Sequence, residues 1–146
     1  MLAILRPVAK RQGKGEDGQS LVEFALVLPI FLLVLFAIVD FGMAFHAWIT
    51  VTSSSREGAR LGSIHATAAA IEQRVRDTAT SLDEANLAVT VTNADDQGGQ
   101  PGESVVVDVS YNYSLITPLA DLLNLVSGGV IANHFNLNSV ADMRLE

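Results

Sequence analysis

The hydrophobic and polar positions divide the chain into one long apolar run and several shorter patterned segments. Residues 21–39 carry a single charged side chain, Glu23. As a helix this run would extend roughly 28 Å, close to the hydrocarbon thickness of a bilayer. It therefore predicts one membrane-spanning helix, and Pro29 inside it is expected to kink or locally open that helix.

The helix predicted from this run begins near Ser20 and extends beyond the membrane. Past Asp40 no proline interrupts the sequence up to about Leu61, so we expect a helix of about 40 residues. A membrane anchor alone does not require that length. Ser20 and Glu23 also have the spacing of a capping box, which gives Glu23 one purely structural interpretation.

Shorter patterns follow in the remainder of the chain. Helical spacing predicts a second helix over residues 67–82, whose apolar stripe should pack on a sheet. Strict alternation predicts three strands, and the turn-forming segment 95–103 joins the first two as a hairpin. A short helix stopped at Gly128 and Gly129 is expected between the second and third strands. The positions that carry these patterns are Ala68, Ile71, Val75, Ala79 and Leu82 in the helix, and Leu87, Val89, Val91, Val105, Val107, Val109, Tyr111, Tyr113, Phe135, Leu137, Ala141 and Met143 in the strands.

Charge is distributed unevenly along these 146 residues, which have a net charge of −7. Four basic residues precede the apolar run, so the positive-inside rule predicts a cytoplasmic N-terminus and an exported C-terminal body. The acidic body argues against nucleic acid as a partner, because phosphates would repel it. The absence of cysteine excludes disulfides and thiol chemistry. The basic residues are Arg6, Lys10, Arg11 and Lys14.

Glu23 is the most informative single residue. A carboxylate inside a membrane-length apolar segment costs about 2.5 to 3.5 kcal/mol on insertion scales and usually marks a function with a charge partner. Cleavage after Gly18 would create an ammonium group on Gln19 and make Glu23 the fifth mature residue. A secretory signal peptide would instead have its small-residue site after the apolar core, where no convincing A-x-A site appears. An uncleaved signal anchor remains the alternative.

No pattern of catalytic or metal-binding residues is present. His46, His65 and His134 lack a companion at the spacing of a helical metal site, so we expect surface or packing roles. Asp95 and Asp96 do not have EF-hand spacing and predict a solvated turn. We therefore expect no enzyme activity, no metal and no cofactor, although a membrane-tethered hydrolase with a spatially assembled site is a weaker alternative.

The block 55–60 combines charge with small side chains. Arg56 and Arg60 share a helix face, Glu57 can pair with Arg60 at i+3, and Gly58 next to Ala59 permits close backbone approach. The competing interpretation is a helix end with a solvated charge cluster.

Three of these segments together resemble the TadE-like family, the pseudopilins of the tight-adherence (Flp-type) pilus system. They are GQSLVEFALVLP at 18–29, DFG at 40–42 and REGAR at 56–60, with a looser likeness in the C-terminal body. The resemblance implies a pilin-like α+β fold with a three-stranded antiparallel sheet. Residues 1–18 would be a cleaved cytoplasmic leader, 19–62 a long helix with its transmembrane part at about 21–39, and 63–146 an exported domain.

The resemblance also implies a role. A membrane prepilin peptidase would cut between Gly18 and Gln19, and Glu23 would pair with the N-terminal amine of a neighbouring subunit. Such a minor pilin acts in the assembly of a type IV pilus for surface attachment. Its partners would be other pilins, the inner-membrane assembly machinery and the lipid bilayer, and its location the inner membrane or, after assembly, the extracellular pilus. The motif residues carried over are Asp40, Gly42, Arg56, Glu57, Gly58 and Arg60.

Two further points bear on this role. Major Flp pilins are much shorter, so the resemblance favours a minor subunit over the repeating one. The principal alternative is an uncleaved, single-pass, membrane-anchored exported domain that acts as a scaffold or sensor.

Overall fold

A computed structural model describes residues 16–129 and 132–146 of the chain. Most of the predicted leader, residues 1–18, therefore lies outside the described residues, as do its four basic side chains. The elements are α1 (Glu16–Gly62), α2 (Ala68–Thr78), β1 (Leu87–Thr92), β2 (Ser104–Ser114), α3 (Leu119–Ser127) and β3 (His134–Arg144). The long apolar helix, the further helices and the three strands confirm the predicted α+β class.

The chain divides into two compact units, Met1–Leu35 and Phe36–Glu146. In the described part of the first unit most of the large apolar side chains are exposed, with Leu21 70% and Phe24 64% exposed. The helix continues across Pro29. The second unit holds a hydrophobic core, so the two units bury apolar surface to very different extents.

The sheet of the second unit is antiparallel throughout, with the order β1-β2-β3. Val105, Val107 and Val109 of β2 are fully buried, while the side chains between them are partly exposed. This alternation follows from the two-residue period of a strand and confirms the predicted strands. The buried face packs against α2 through Ile71 and Val75 and against α1 through small side chains.

The second predicted helix is shorter than expected. α2 ends at Thr78 with Ala79 as its C-cap, whereas the apolar stripe predicted helix up to Leu82. Residues 80–83 are Thr, Ser, Leu and Asp, and Asp83 caps the short 3-10 turn Glu84–Asn86 instead. Leu82 still packs against the core from outside the helix, which is why the stripe extended too far.

The predicted capping box is also wrong. α1 already includes Glu16, so Ser20 lies inside the helix and not at its N-cap. Glu23 instead accepts a hydrogen bond at 3.1 Å from the side-chain amide of Gln19, one helical turn earlier. The capping explanation for Glu23 is therefore removed.

Candidate functional site

The segment around Gly18 and Gln19 is exposed. Gly18, Gln19 and Ser20 are all exposed, and a Cβ built on Gly18 would meet no atom within 4 Å. The fold of the described residues therefore does not require glycine at position 18. Any requirement for glycine at this position would therefore come from another molecule that recognises the segment, and not from packing within the fold.

Glu23 lies on the same helix face as Gln19, four residues later. Its carboxylate is exposed among apolar neighbours such as Val22 and Phe24, and within the described residues it forms no ion pair. Among the described residues, the hydrogen-bond donor to this carboxylate is the side-chain amide of Gln19.

Asp40, the other acidic residue of the apolar region, is satisfied by the protein. Its side chain is 2% exposed, and one carboxylate oxygen accepts hydrogen bonds from the backbone N–H groups of Ile116 at 2.9 Å and Thr117 at 3.1 Å. The other oxygen accepts from the Thr117 hydroxyl. Asp40 thus ties α1 to the segment that connects β2 with α3.

Two further hydrogen bonds reinforce this junction. The Thr117 hydroxyl oxygen accepts from the N–H of Leu119 at the first residue of α3. The Tyr113 hydroxyl donates to the backbone carbonyl of Asp40 at 3.4 Å. Burial, followed by the negative charge of Asp40, raises the pKa of Tyr113, so this phenol remains a donor at neutral pH.

Gly42, two residues after Asp40, has no packing role within the described residues. A Cβ there would meet nothing within 4 Å, and the residue is exposed. Phe41 next to it is 74% exposed and stacks on Phe45. The DFG motif therefore contains one residue that this fold uses and two that it leaves on the surface.

The small residues of the REGAR block allow α1 to approach the core closely. A Cβ on Gly58 would lie 2.6 Å from a methyl group of Val75, and Ala59 is fully buried. One turn later, a Cβ on Gly62 would lie 2.8 Å from a methyl group of Val105. The close approach predicted for Gly58 and Ala59 is present.

The charged residues of the block hold the two helices together. Glu57 forms the predicted ion pair with Arg60 at 2.8 Å and a second one with Arg74 of α2 at 2.6 Å. Hydrogen bonds from Arg60 and then from Arg74 lower the pKa of Glu57 to about 2. Arg56 is exposed and forms no ion pair with a described residue.

Sequence reasoning missed the partners of these residues. Thr117 and Arg74 lie far along the chain from Asp40 and Glu57, and no spacing rule connects them. The serines of 53–55 also have a structural role, because Ser54 and Ser55 are fully buried and Ser55 hydrogen-bonds Ser139 of β3 at 3.0 Å. A polar residue on the packed face of a helix is the signal that could have indicated such a contact.

Among the described residues, the remaining titratable side chains form no recognisable catalytic arrangement. His65 contacts Asp95 and the backbone carbonyl of Glu146. Within residues 16–129 and 132–146, no group of three or more His, Cys, Asp or Glu side chains is placed to hold a metal ion.

Comparison with known proteins gives one match. The family model described as "TadE-like protein" matches residues 18–60. This part of the chain is TadE-like. The match begins at Gly18 and ends at Arg60, so it includes all three motifs but less than a third of the chain.

No curated protein and no solved structure matches the chain. Of the described residues, α1 from Gly18 onward is the helix that is long and apolar enough to cross a membrane. The TadE-like match and a helix able to span a bilayer therefore coincide in the same segment.

Proposed function

We propose that this chain is a TadE-like minor pilin that acts in the assembly of a tight-adherence type IV pilus and performs no catalysis. A prepilin peptidase would cut between Gly18 and Gln19 on the cytoplasmic side. Residues 21–39 would hold the mature protein in the inner membrane, with the C-terminal unit exported. The assembly machinery would then transfer the helix from lipid into contact with other pilins.

The observation that carries this proposal is the contrast in how the two acidic residues of the apolar region are satisfied. Asp40 has three hydrogen-bond donors from its own unit, whereas Glu23 has only a neutral amide. A charge left without an ionic partner in lipid is strongly disfavoured, and a pair in the correct register is tolerated and selects that register. The ammonium group created on Gln19 of a neighbouring subunit would supply the missing cation.

The second support is the exposed apolar surface of the same helix. Most of its large side chains before Leu35 are exposed, which suits either lipid tails or the helices of other pilins. Because both surroundings are equally apolar, close packing and a few polar pairs decide which one is favoured. Gly42 adds a place on the helix where another backbone could approach closely.

Processing can be tested with a matched pair of glycine substitutions. Gly18→Leu and Gly42→Leu both introduce side chains where a Cβ has free space, so neither should disturb the fold. Each variant would be expressed with and without a prepilin peptidase, and its size followed by immunoblotting. We expect the peptidase to shorten the Gly42→Leu protein but not the Gly18→Leu protein. Equal processing of both, or of neither, would contradict cleavage after Gly18.

The role of Glu23 can be tested separately. Glu23→Ala should leave membrane insertion intact, because it removes a charge from an apolar run, and should reduce co-purification with other pilins of the same system. Glu23→Asp is the matched control that keeps the charge. Unchanged association of Glu23→Ala would contradict the pairing role and would favour an anchored scaffold or sensor.

A further inference from the structure

The end of the C-terminal unit that lies beside Asp40 has an unusual surface. We propose that α3 and the segment leading into it form a second membrane contact, which seats the C-terminal unit on the headgroup region of the bilayer. The inference rests on the proposed membrane-spanning role of residues 21–39. It concerns a different element, for which the TadE-like match, ending at residue 60, gives no information.

The first observation is the position of α3. Asp40 is the first charged residue after the apolar run, so it marks where that run would leave the hydrocarbon. Its carboxylate holds the N–H groups of Ile116 and Thr117 at 2.9 and 3.1 Å. The start of α3 is therefore fixed at the level of α1 where the bilayer boundary is expected.

The second observation is the composition of this connection. Residues 115–129 contain a single charged side chain, Asp121. Apolar residues nevertheless point outward, since Ile116 is 62% and Leu125 84% exposed. Within α3, Ala120 is buried and Leu119, Leu122 and Leu123 are partly buried, so the outward-facing apolar surface of this segment is formed by Ile116 and Leu125. A short helix that leaves such apolar side chains exposed is suited to the interface between headgroups and acyl chains.

The third observation is the cavity between α3 and α1. It has a volume of about 230 Å³ and is lined by Phe41, Ala44, Leu115, Leu119 and other apolar side chains. Asp40 contributes to the lining, but its carboxylate is already satisfied. The lining also includes Ala37, which belongs to the apolar run, so lipid that surrounds this end of the run can extend into the cavity.

The opposite end of the sheet has the reverse character. The connection between β1 and β2 covers residues 93–103 and includes three acidic side chains, Asp95, Asp96 and Glu103. Antiparallel pairing places this connection and the one that contains α3 at opposite ends of β2. The unit therefore has an apolar end next to Asp40 and an acidic end away from it, which is the polarity that a unit resting on a bilayer requires.

Tryptophan probes in the full chain can test this contact. Trp48 is the only tryptophan, so Trp48→Phe gives a background without emission from the native residue. Ile116→Trp then reports the proposed contact, Ile64→Trp a distant site and Ile30→Trp the apolar run. The three isoleucines have matched exposures of 62%, 63% and 65%. Each protein would be reconstituted in phosphatidylcholine nanodiscs with bromines at different depths of the acyl chains.

We expect strong quenching at Ile30→Trp, no quenching at Ile64→Trp, and quenching at Ile116→Trp that is greatest for bromines nearest the glycerol. Leu125→Trp provides a second probe of the same contact. Quenching at Ile30→Trp with none at Ile116→Trp and Leu125→Trp would overturn the seating of α3, while leaving the membrane span intact. If the Ile116→Trp probe is not quenched, disulfide crosslinking between copies of an Ile116→Cys variant would assign this surface to a second copy instead. Absence of quenching at Ile30→Trp would overturn both the span and the seating.

Discussion

The apolar side chains of α1 differ in exposure and size before and after Leu35. Before it, large side chains such as Ile30 and Phe31 are exposed. After it, the buried positions of the helix are small or polar: Asp40, Ala47, Val51, Ser54, Ser55, Gly58, Ala59 and Gly62. On this helix, small side chains mark the face that packs on the protein's own core, and many of the large ones remain available to lipid or to other subunits.

The same contrast applies to the two acidic residues. Asp40 belongs to the second unit and is held by a backbone segment and a hydroxyl, whereas Glu23 belongs to the first and has no cation within the described residues. Asp40 is therefore expected to contribute to the folding of the C-terminal unit, and Glu23 to an event outside it. Substitutions that separate folding from assembly can break or sharpen this comparison.

The largest expected effect is from Asp40→Ala. This change removes the buried carboxylate that accepts from the N–H groups of Ile116 and Thr117, and should lower the free energy of unfolding of the C-terminal unit by about 2 to 4 kcal/mol. Urea unfolding in detergent, followed by circular dichroism, measures it. Asp40→Asn keeps one acceptor oxygen and should lose less. Glu23→Gln is the control in the other unit. A comparable loss of unfolding free energy in that variant would contradict the proposed difference between the two carboxylates.

A second prediction compares two glycines of α1. Gly58→Ala places a Cβ 2.6 Å from Val75 and should lower stability by about 1 to 3 kcal/mol through overpacking. Gly42→Ala meets nothing and should raise stability by up to about 1 kcal/mol, because alanine favours helix. The same unfolding measurement applies. Equal effects at the two positions would mean that the packed and open faces have been assigned wrongly.

Glu57 should make stability depend on pH in acid. Its pKa is lowered to about 2 by Arg60 and Arg74, so the folded state favours the charged form. The stabilisation is present above the ordinary pKa of 4.5 and should be lost as pH falls from there towards 2. Glu57→Gln should flatten this part of the unfolding profile. A profile of the same slope in both proteins would show that the two arginines do not stabilise the carboxylate.

The smallest effect is expected from His65, with the opposite sign. The Glu146 carbonyl and the Asp95 carboxylate raise its pKa above the ordinary value of 6.5. Its stabilisation should be complete below 6.5 and should be lost as pH rises through the higher pKa of the folded state. Thermal unfolding across neutral pH measures this change. His65→Gln should remove it, and Asp95→Asn should reduce it. Persistence of the slope in His65→Gln would assign it to another group.

Much of this fold could be predicted from local patterns in the sequence. Alternation gave the three strands, and Gly128 stops α3 in a left-handed conformation with φ of 77°, as its position in the sequence predicts. The end of α2 was wrong because Leu82 contributes to the core without being helical. A periodic pattern indicates which side chains are buried but not whether each of them is helical. A turn after the helix can bury one more side chain at the same spacing.

The candidate site was less accessible to sequence reasoning. Internal spacing was sufficient for Glu57 and Arg60, which are one helical turn apart, and for the close approach at Gly58. It was not sufficient for Asp40 and Thr117, whose contact depends on tertiary folding, or for Ser55 and Ser139. The roles of Gly18, Gln19 and Glu23 stay predictions, because they concern an enzyme and subunits outside this chain.

The most direct test of the account is the intact mass of the protein isolated from its native cell. If Glu23 forms an ion pair with an amine that processing creates, the mass should correspond to a chain that begins at Gln19. A mass that still includes residues 1–18 would contradict the account, since the cation proposed for Glu23 would never form.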